Sequence, residues 1–82
     1  MILTGHTYSV RCLCELSDGR LISGSYDETV RLWDLHQQQP EDNGSESSRI
    51  VSQQESEVIA MCILMDGRIC VGLSDRTLRI LQ

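Results

Sequence analysis

Four cysteines, two histidines and a few serines and carboxylates are the residues of this 82-residue chain that could do chemistry. Cys12, Cys14, Cys62 and Cys70 could supply four thiolates to zinc, or pair as disulfides in an oxidising compartment. Their spacing is a C-x-C pair followed by two distant thiols, which fits no standard finger, and each cysteine sits inside an apolar, strand-like run. They read as buried, reduced core thiols, so no metal and no cofactor is expected. His6, Ser23 and Asp27 together supply the residue types of a hydrolytic triad. Ser23, however, stands within a strand pattern rather than on a strained G-x-S-x-G elbow, and nothing near it suggests an oxyanion hole. No catalytic residue is expected, and the chain is not read as an enzyme.

The elements that must position these residues are bounded by composition. The chain is 40% hydrophobic and 23% charged, with seven basic and twelve acidic residues and a formal net charge of −5, which argues against an electrostatic nucleic-acid partner. A chain of this size buries only about 60% of the surface its unfolded form exposes, so one compact unit is the most its length allows. No apolar run approaches the roughly 20 residues of a membrane-spanning helix, and no membrane partner is expected. The start, Met1-Ile2-Leu3-Thr4-Gly5-His6, lacks the basic and long apolar regions of a signal peptide. The expected location is therefore inside the cell, in the cytoplasm with the nucleus also open.

The chain repeats itself. A shift of 48 residues aligns 1–34 with 49–82 without a gap and with eleven identities, among them Val10/Val58, Cys14/Cys62, Leu16/Leu64, Gly24/Gly72, Asp27/Asp75, Thr29/Thr77 and Arg31/Arg79. Asp18-Gly19-Arg20 recurs as Asp66-Gly67-Arg68. Within the first unit Val10, Cys12, Cys14 and Leu16 alternate with Arg11 and Glu15, the period of a strand, although Leu13 interrupts the polar side. Ser17-Asp18-Gly19-Arg20 reads as a hairpin turn, Leu21-Ile22-Ser23 as a second strand, Ser25–Glu28 as a second turn and Thr29–Asp34 as a third strand. The same logic predicts strands near 58–65, 68–72 and 77–81. Ile2-Leu3 and Ile50-Val51 are candidate fourth strands, each just upstream of its unit. The polar stretch 36–48 holds nothing to bury and reads as a solvated loop. Its Asn43-Gly44-Ser45 matches a glycosylation acceptor that stays idle without a secretory signal.

Leu3-Thr4-Gly5-His6, the Asp18-Gly19 turn, Ser23-Gly24-Ser25-Tyr26-Asp27-Glu28-Thr29 and the closing Trp33-Asp34 stand in an order and spacing that resemble a WD repeat. The resemblance covers about 34 residues closely and another 34 through the duplication. It implies an all-β chain of two antiparallel four-stranded β-propeller blades. Residues 1–35 would form the well-matched blade, 36–48 the loop and 49–82 a degenerate blade. The resemblance also implies a structural hydrogen-bonded tetrad of His6, Ser23, Asp27 and Trp33. In the second unit only Asp75 survives of the four. Gln53-Gln54 stand for Gly-His, Val71 for the serine and Leu81-Gln82 for Trp-Asp, so that blade is expected to rest on apolar packing of Val58, Ala60, Cys62, Leu64, Ile69, Val71, Leu78 and Ile80.

By the same resemblance the function is that of a non-catalytic scaffold for protein or peptide partners, bound at the top face of the blades. The positions this selects are Ser9, Arg11 and Tyr26 in the first unit and Glu57, Ile59 and Ser74 in the second. Trp33-Asp34-Leu35-His36 lacks the Trp-Asp-x-Arg ending of repeats that dock on ubiquitin-ligase cores. Two blades do not close a propeller. Either copies of the chain assemble head to tail into a ring of three or four, with Ile2-Leu3 completing the last blade of a neighbour, or the chain is a structural blade pair belonging to a larger propeller, with no ligand of its own.

Overall fold

The computed structural model describes residues 2–34 and 48–81. These fold into seven strands: β1 (Val10–Glu15), β2 (Leu21–Ser25), β3 (Thr29–Trp33), β4 (Ser48–Gln53), β5 (Val58–Ile63), β6 (Ile69–Leu73) and β7 (Leu78–Leu81). No helix occurs among the described residues. Two antiparallel sheets result, one in the order β1-β2-β3-β4 and one in the order β5-β6-β7. The hairpin turns are built twice in the same way. Gly19 at φ 91° and Gly67 at φ 92° take the left-handed conformation open to glycine. Leu16 and Leu64 then donate their N–H groups across the turn to the carbonyls of Arg20 and Arg68, each at 2.8 Å.

The sheets depart from the repeat pattern in strand allegiance. Ile50 and Val51 do not join the strands that follow them. They lie in β4, which pairs with β3 and closes the first sheet. From there Gln54, whose N–H donates to the Glu28 carbonyl at 2.7 Å, leads the chain into β5 of the second sheet. The second sheet consequently has three strands among the described residues. Ile2-Leu3, the other candidate strand, joins neither sheet. The loop expected over 36–48, with its Asn43-Gly44-Ser45, lies outside the described residues up to 47, and Ser48 opens β4.

A second departure sets which residues form the core. β1 carries a bulge between Val10 and Cys12, and β5 carries the same bulge between Val58 and Ala60. One extra residue swaps the face of everything beyond it. In the first sheet Cys12, Cys14, Ile22, Val30 and Leu32 face the second sheet, while Val10, Leu13, Ser23 and Trp33 share the opposite, outer face. In the second sheet the relation inverts: Val58, Met61, Ile63, Val71 and Leu73 face inward. Ala60, Cys62, Leu78 and Ile80, expected in the core from simple alternation, are exposed on the outer face instead. The buried centre is Ile22, Val30, Val58, Val71 and Leu73, with β5 lying across β1 and β2. Val58 inserts against Gly24 so closely that a methyl group in place of the glycine hydrogen would overlap the valine Cγ1.

Candidate functional site

His6 enters from the segment before β1, Ser23 lies in β2, Asp27 in the turn after it, and Trp33 at the end of β3. The antiparallel register places Ser23 and Trp33 on the same outer face. The Trp33 Nε1–H donates to Ser23 Oγ at 2.8 Å, and Ser23 Oγ lies 2.6 Å from His6 Nε2. His6 Nδ1 lies 2.8 Å from Asp27 Oδ2. One tautomer satisfies the whole chain: the Ser23 hydroxyl donates to Nε2, and Nδ1–H donates to the carboxylate. The histidine and tryptophan rings also meet at 6.0 Å between centroids. Two participants carry little sequence signal beyond small polar residues beside the turn. Thr29 gives Asp27 Oδ1 both its hydroxyl at 2.5 Å and its backbone N–H at 2.9 Å. Ser25 Oγ donates to the Ser9 carbonyl at 2.8 Å and accepts the Asp27 N–H at 3.0 Å.

The constellation matches a hydrolytic triad in residue type and distance, but its serine is closed off. Ser23 is 1% exposed, and its oxygen is already engaged by the indole N–H and the imidazole. A nucleophile needs a path to a substrate carbonyl and a free oxygen lone pair. The arrangement instead ties a turn and two strands to the entering chain. Burial, the largest single influence on Asp27, raises its carboxyl pKa. The Thr29 hydroxyl, the Thr7 N–H, His6 and the Thr29 N–H together outweigh it and hold the group well below the usual carboxylate range.

Because the folded value is depressed, the stabilisation from Asp27 is fully present above the unfolded carboxylate value of about 3.9. It is lost as pH falls below that value toward the folded one. Urea midpoints at pH 7 and pH 3 are expected to differ more for the native chain than for Asp27→Asn, in which this contribution cannot titrate. Equal differences would remove Asp27 from the acid response.

The WD domain, G-beta repeat family matches residues 1–34, the segment that contains all four members of this network. Across these residues the chain is similar to the WD-repeat family. WD repeat-containing protein 18 of Bos taurus is 54% identical over 39 residues, covering 46% of this chain and 9% of that protein. Cell division control protein 4 of Candida albicans is 56% identical over 34 residues, 42% of this chain and 5% of the relative. The small ribosomal subunit protein RACK1 of Caenorhabditis elegans is 53% identical over 36 residues, 43% of this chain and 11% of that protein. The matched segment thus spans about a tenth or less of the length of these relatives.

The second unit keeps the Asp–Thr turn of the first and lacks its four-membered network. Thr77 still donates its hydroxyl at 2.5 Å and its N–H at 3.0 Å to Asp75 Oδ1, and these bonds hold that exposed carboxyl below its ordinary pKa. No histidine stands in the second unit to reach it. The substitutions have a packing cause. Val71 and Leu81, which stand where Ser23 and Trp33 stand in the first unit, lie against the first sheet, and Val71 is fully buried there. A hydroxyl in that seam would need a partner the core does not offer.

Of the six expected contact positions, Ser9, Tyr26, Glu57 and Ser74 lie outside the strands, at their ends, and Arg11 and Ile59 lie in the bulges of β1 and β5. The Tyr26 N–H donates to the Ser9 carbonyl at 3.0 Å, and the Ser74 N–H donates to the Glu57 carbonyl at 3.0 Å. Arg11 places its guanidinium 4.7 Å from the centre of the Tyr26 ring. Tyr8, which sequence reasoning passed over, meets Tyr26 edge-on at 6.3 Å and is 65% exposed. Ile59, in the β5 bulge, is exposed but joins no such cluster. Among the described residues no group of three metal-ligating side chains occurs, and all four cysteines are free thiols.

Proposed function

We propose that the chain is a protein-interaction module that binds a peptide segment of a partner at Tyr8, Arg11 and Tyr26, with Ser9 and the Glu57–Ile59–Ser74 group at its margin. WD-repeat proteins serve generally as non-catalytic scaffolds, which supports this class of function. The single observation that carries the reading is the Tyr8–Tyr26–Arg11 stack on an exposed edge held by the buried network. Stacking on Tyr26 restricts the arginine while leaving its N–H fork free for a carboxylate, and tyrosine and arginine dominate interface energetics. The partner segment accordingly carries an acidic residue beside an apolar or aromatic one. The four free thiols suit a reducing compartment, and the proposed site of action is inside the cell.

Panning a displayed random-peptide library on the full chain tests this. Enriched acidic-aromatic peptides are expected to bind Tyr26→Ala and Arg11→Glu about tenfold more weakly or worse, and Arg79→Ala with unchanged affinity. Peptides that bind all three variants as well as the native chain would place the contact surface elsewhere.

A further inference from the structure

The facing sides of the two sheets do not meet everywhere. At the strand ends opposite Tyr26, where β1 turns into β2, a cleft of about 210 Å³ opens between them. Buried Ile22 and Leu32 line it on the first sheet and half-buried Ile69 on the second, with Leu16 beside the turn. Arg20 and Arg49 line it too, and no carboxylate is among its described lining residues, although the chain carries a net charge of −5. The register accounts for Arg49. It pairs with Leu32 across β3 and β4 and so shares that residue's inward face. Its guanidinium makes no ion pair or hydrogen bond among the described residues. Arg20 binds Asp18 Oδ2 through Nε at 2.8 Å, which leaves its two terminal amino groups unspent. Two guanidinium groups with N–H donors to give thus stand beside an aliphatic cleft.

We infer that this cleft seats an extended segment of a partner protein in which an aliphatic side chain stands next to a carboxylate. Its volume is below the roughly 300 Å³ at which pockets for whole small ligands begin, so it suits one side chain of a segment that runs outside it. The aliphatic group covers Ile22, Leu32 and Ile69, and the carboxylate meets the two arginines. The chain's own connecting stretch 36–47 carries Glu41, Asp42 and Glu46 but no leucine, isoleucine or valine, so the occupant comes from another molecule. This surface goes beyond the one proposed at Tyr26 and does not rest on it. The six residues of β1 set the two about 20 Å apart, at opposite ends of the strands. A chain with both surfaces joins two partner segments instead of presenting one.

Fluorescence anisotropy with short labelled peptides tests the cleft. The probe is a peptide with a leucine between glutamates, and its controls carry lysines for the glutamates or serine for the leucine. The full chain is expected to bind the probe at least about tenfold more tightly than either control. Arg49→Glu, at an exposed position, is expected to stay folded by far-UV circular dichroism and to bind the probe about tenfold more weakly or worse. Arg49→Ala is expected to lose a smaller part of the affinity, and Tyr26→Ala to bind the probe as the native chain does. A native chain that does not prefer the probe, or an affinity that both Arg49 variants leave intact, would overturn the proposal. So would a loss with Tyr26→Ala alone, which would assign the probe to the Tyr26 surface and leave that reading standing. A Glu41→Lys/Asp42→Lys chain that binds the probe where the native chain does not would give the cleft to the chain's own connecting stretch.

Discussion

Gly24→Ala is expected to destabilise the protomer by about 1–3 kcal/mol, the range for overpacking a well-filled core. The added methyl would overlap Val58 Cγ1 and lie 2.8 Å from Cys12 Sγ and 2.9 Å from Met61 Cε. The methionine end can swing away, but Val58 is fully buried and, as a β-branched residue, stiff at χ1. The sheets must separate or the valine must leave its rotamer. Gly24→Val, with two further methyls, is expected to abolish cooperative unfolding. The counterpart change Gly72→Ala meets only ordinary contacts and should be neutral, or stabilising by up to about 1 kcal/mol through the unfolded chain. Urea denaturation of each variant beside the native chain separates the two. The double variant Gly24→Ala/Val58→Ala should lose less than the sum of its parts, because truncating the valine makes room for the new methyl. Additive losses would mean that Gly24 is needed for its backbone and not for the seat it offers Val58.

Ser23→Ala is expected to cost about 2–4 kcal/mol, because it strands two buried groups at once. The substitution removes no more than an oxygen, but it leaves the Trp33 indole N–H and His6 Nε2 without the partner they share. Each buried polar group left unsatisfied costs about 1–3 kcal/mol, more than the net worth of an ordinary hydrogen bond. Trp33→Phe removes the stranded donor, so Ser23→Ala/Trp33→Phe should again be less damaging than the sum of the single changes. Denaturation midpoints of the three variants measure the coupling. A loss for Ser23→Ala under about 1 kcal/mol, the worth of one ordinary hydrogen bond, would show that water or rearrangement replaces the hydroxyl. The blade would then not rest on this network.

Much of this was legible in the residues because it depends on local chemistry. The paired Asp-Gly-Arg turns announce both hairpins, and the duplication announces two similar sheets. The order of His6, Ser23, Asp27 and Trp33 marks four groups that the structure joins by hydrogen bonds. Three features were not legible, for physical reasons. A bulge adds one residue without changing composition, and with apolar residues at Val10, Cys12, Leu13 and Cys14 both faces of β1 look alike. Alternation alone therefore put Ala60, Cys62, Leu78 and Ile80 in the core, when the bulge at Ile59 turns Ala60 and Cys62 outward and pairing through β6 sets Leu78 and Ile80 on that same outer face. The allegiance of β4 is a matter of which edge it reaches, and Ile50-Val51 would suit either sheet. Tyr8 has no periodic partner in sequence and meets Tyr26 only because the intervening hairpin folds back.

The placement of β4 has a consequence for how such chains lengthen over generations. A stretch that begins in one sequence unit seals the sheet of the unit before it, so units overlap like shingles rather than abutting like bricks. Unequal recombination that inserts or deletes one whole 48-residue unit then carries a closing strand with each unit and leaves the edge of the last sheet, here β7, as it was. A break between shingles would orphan an edge, while a change in their number orphans none. Growth by copying therefore calls for no new surface to be invented.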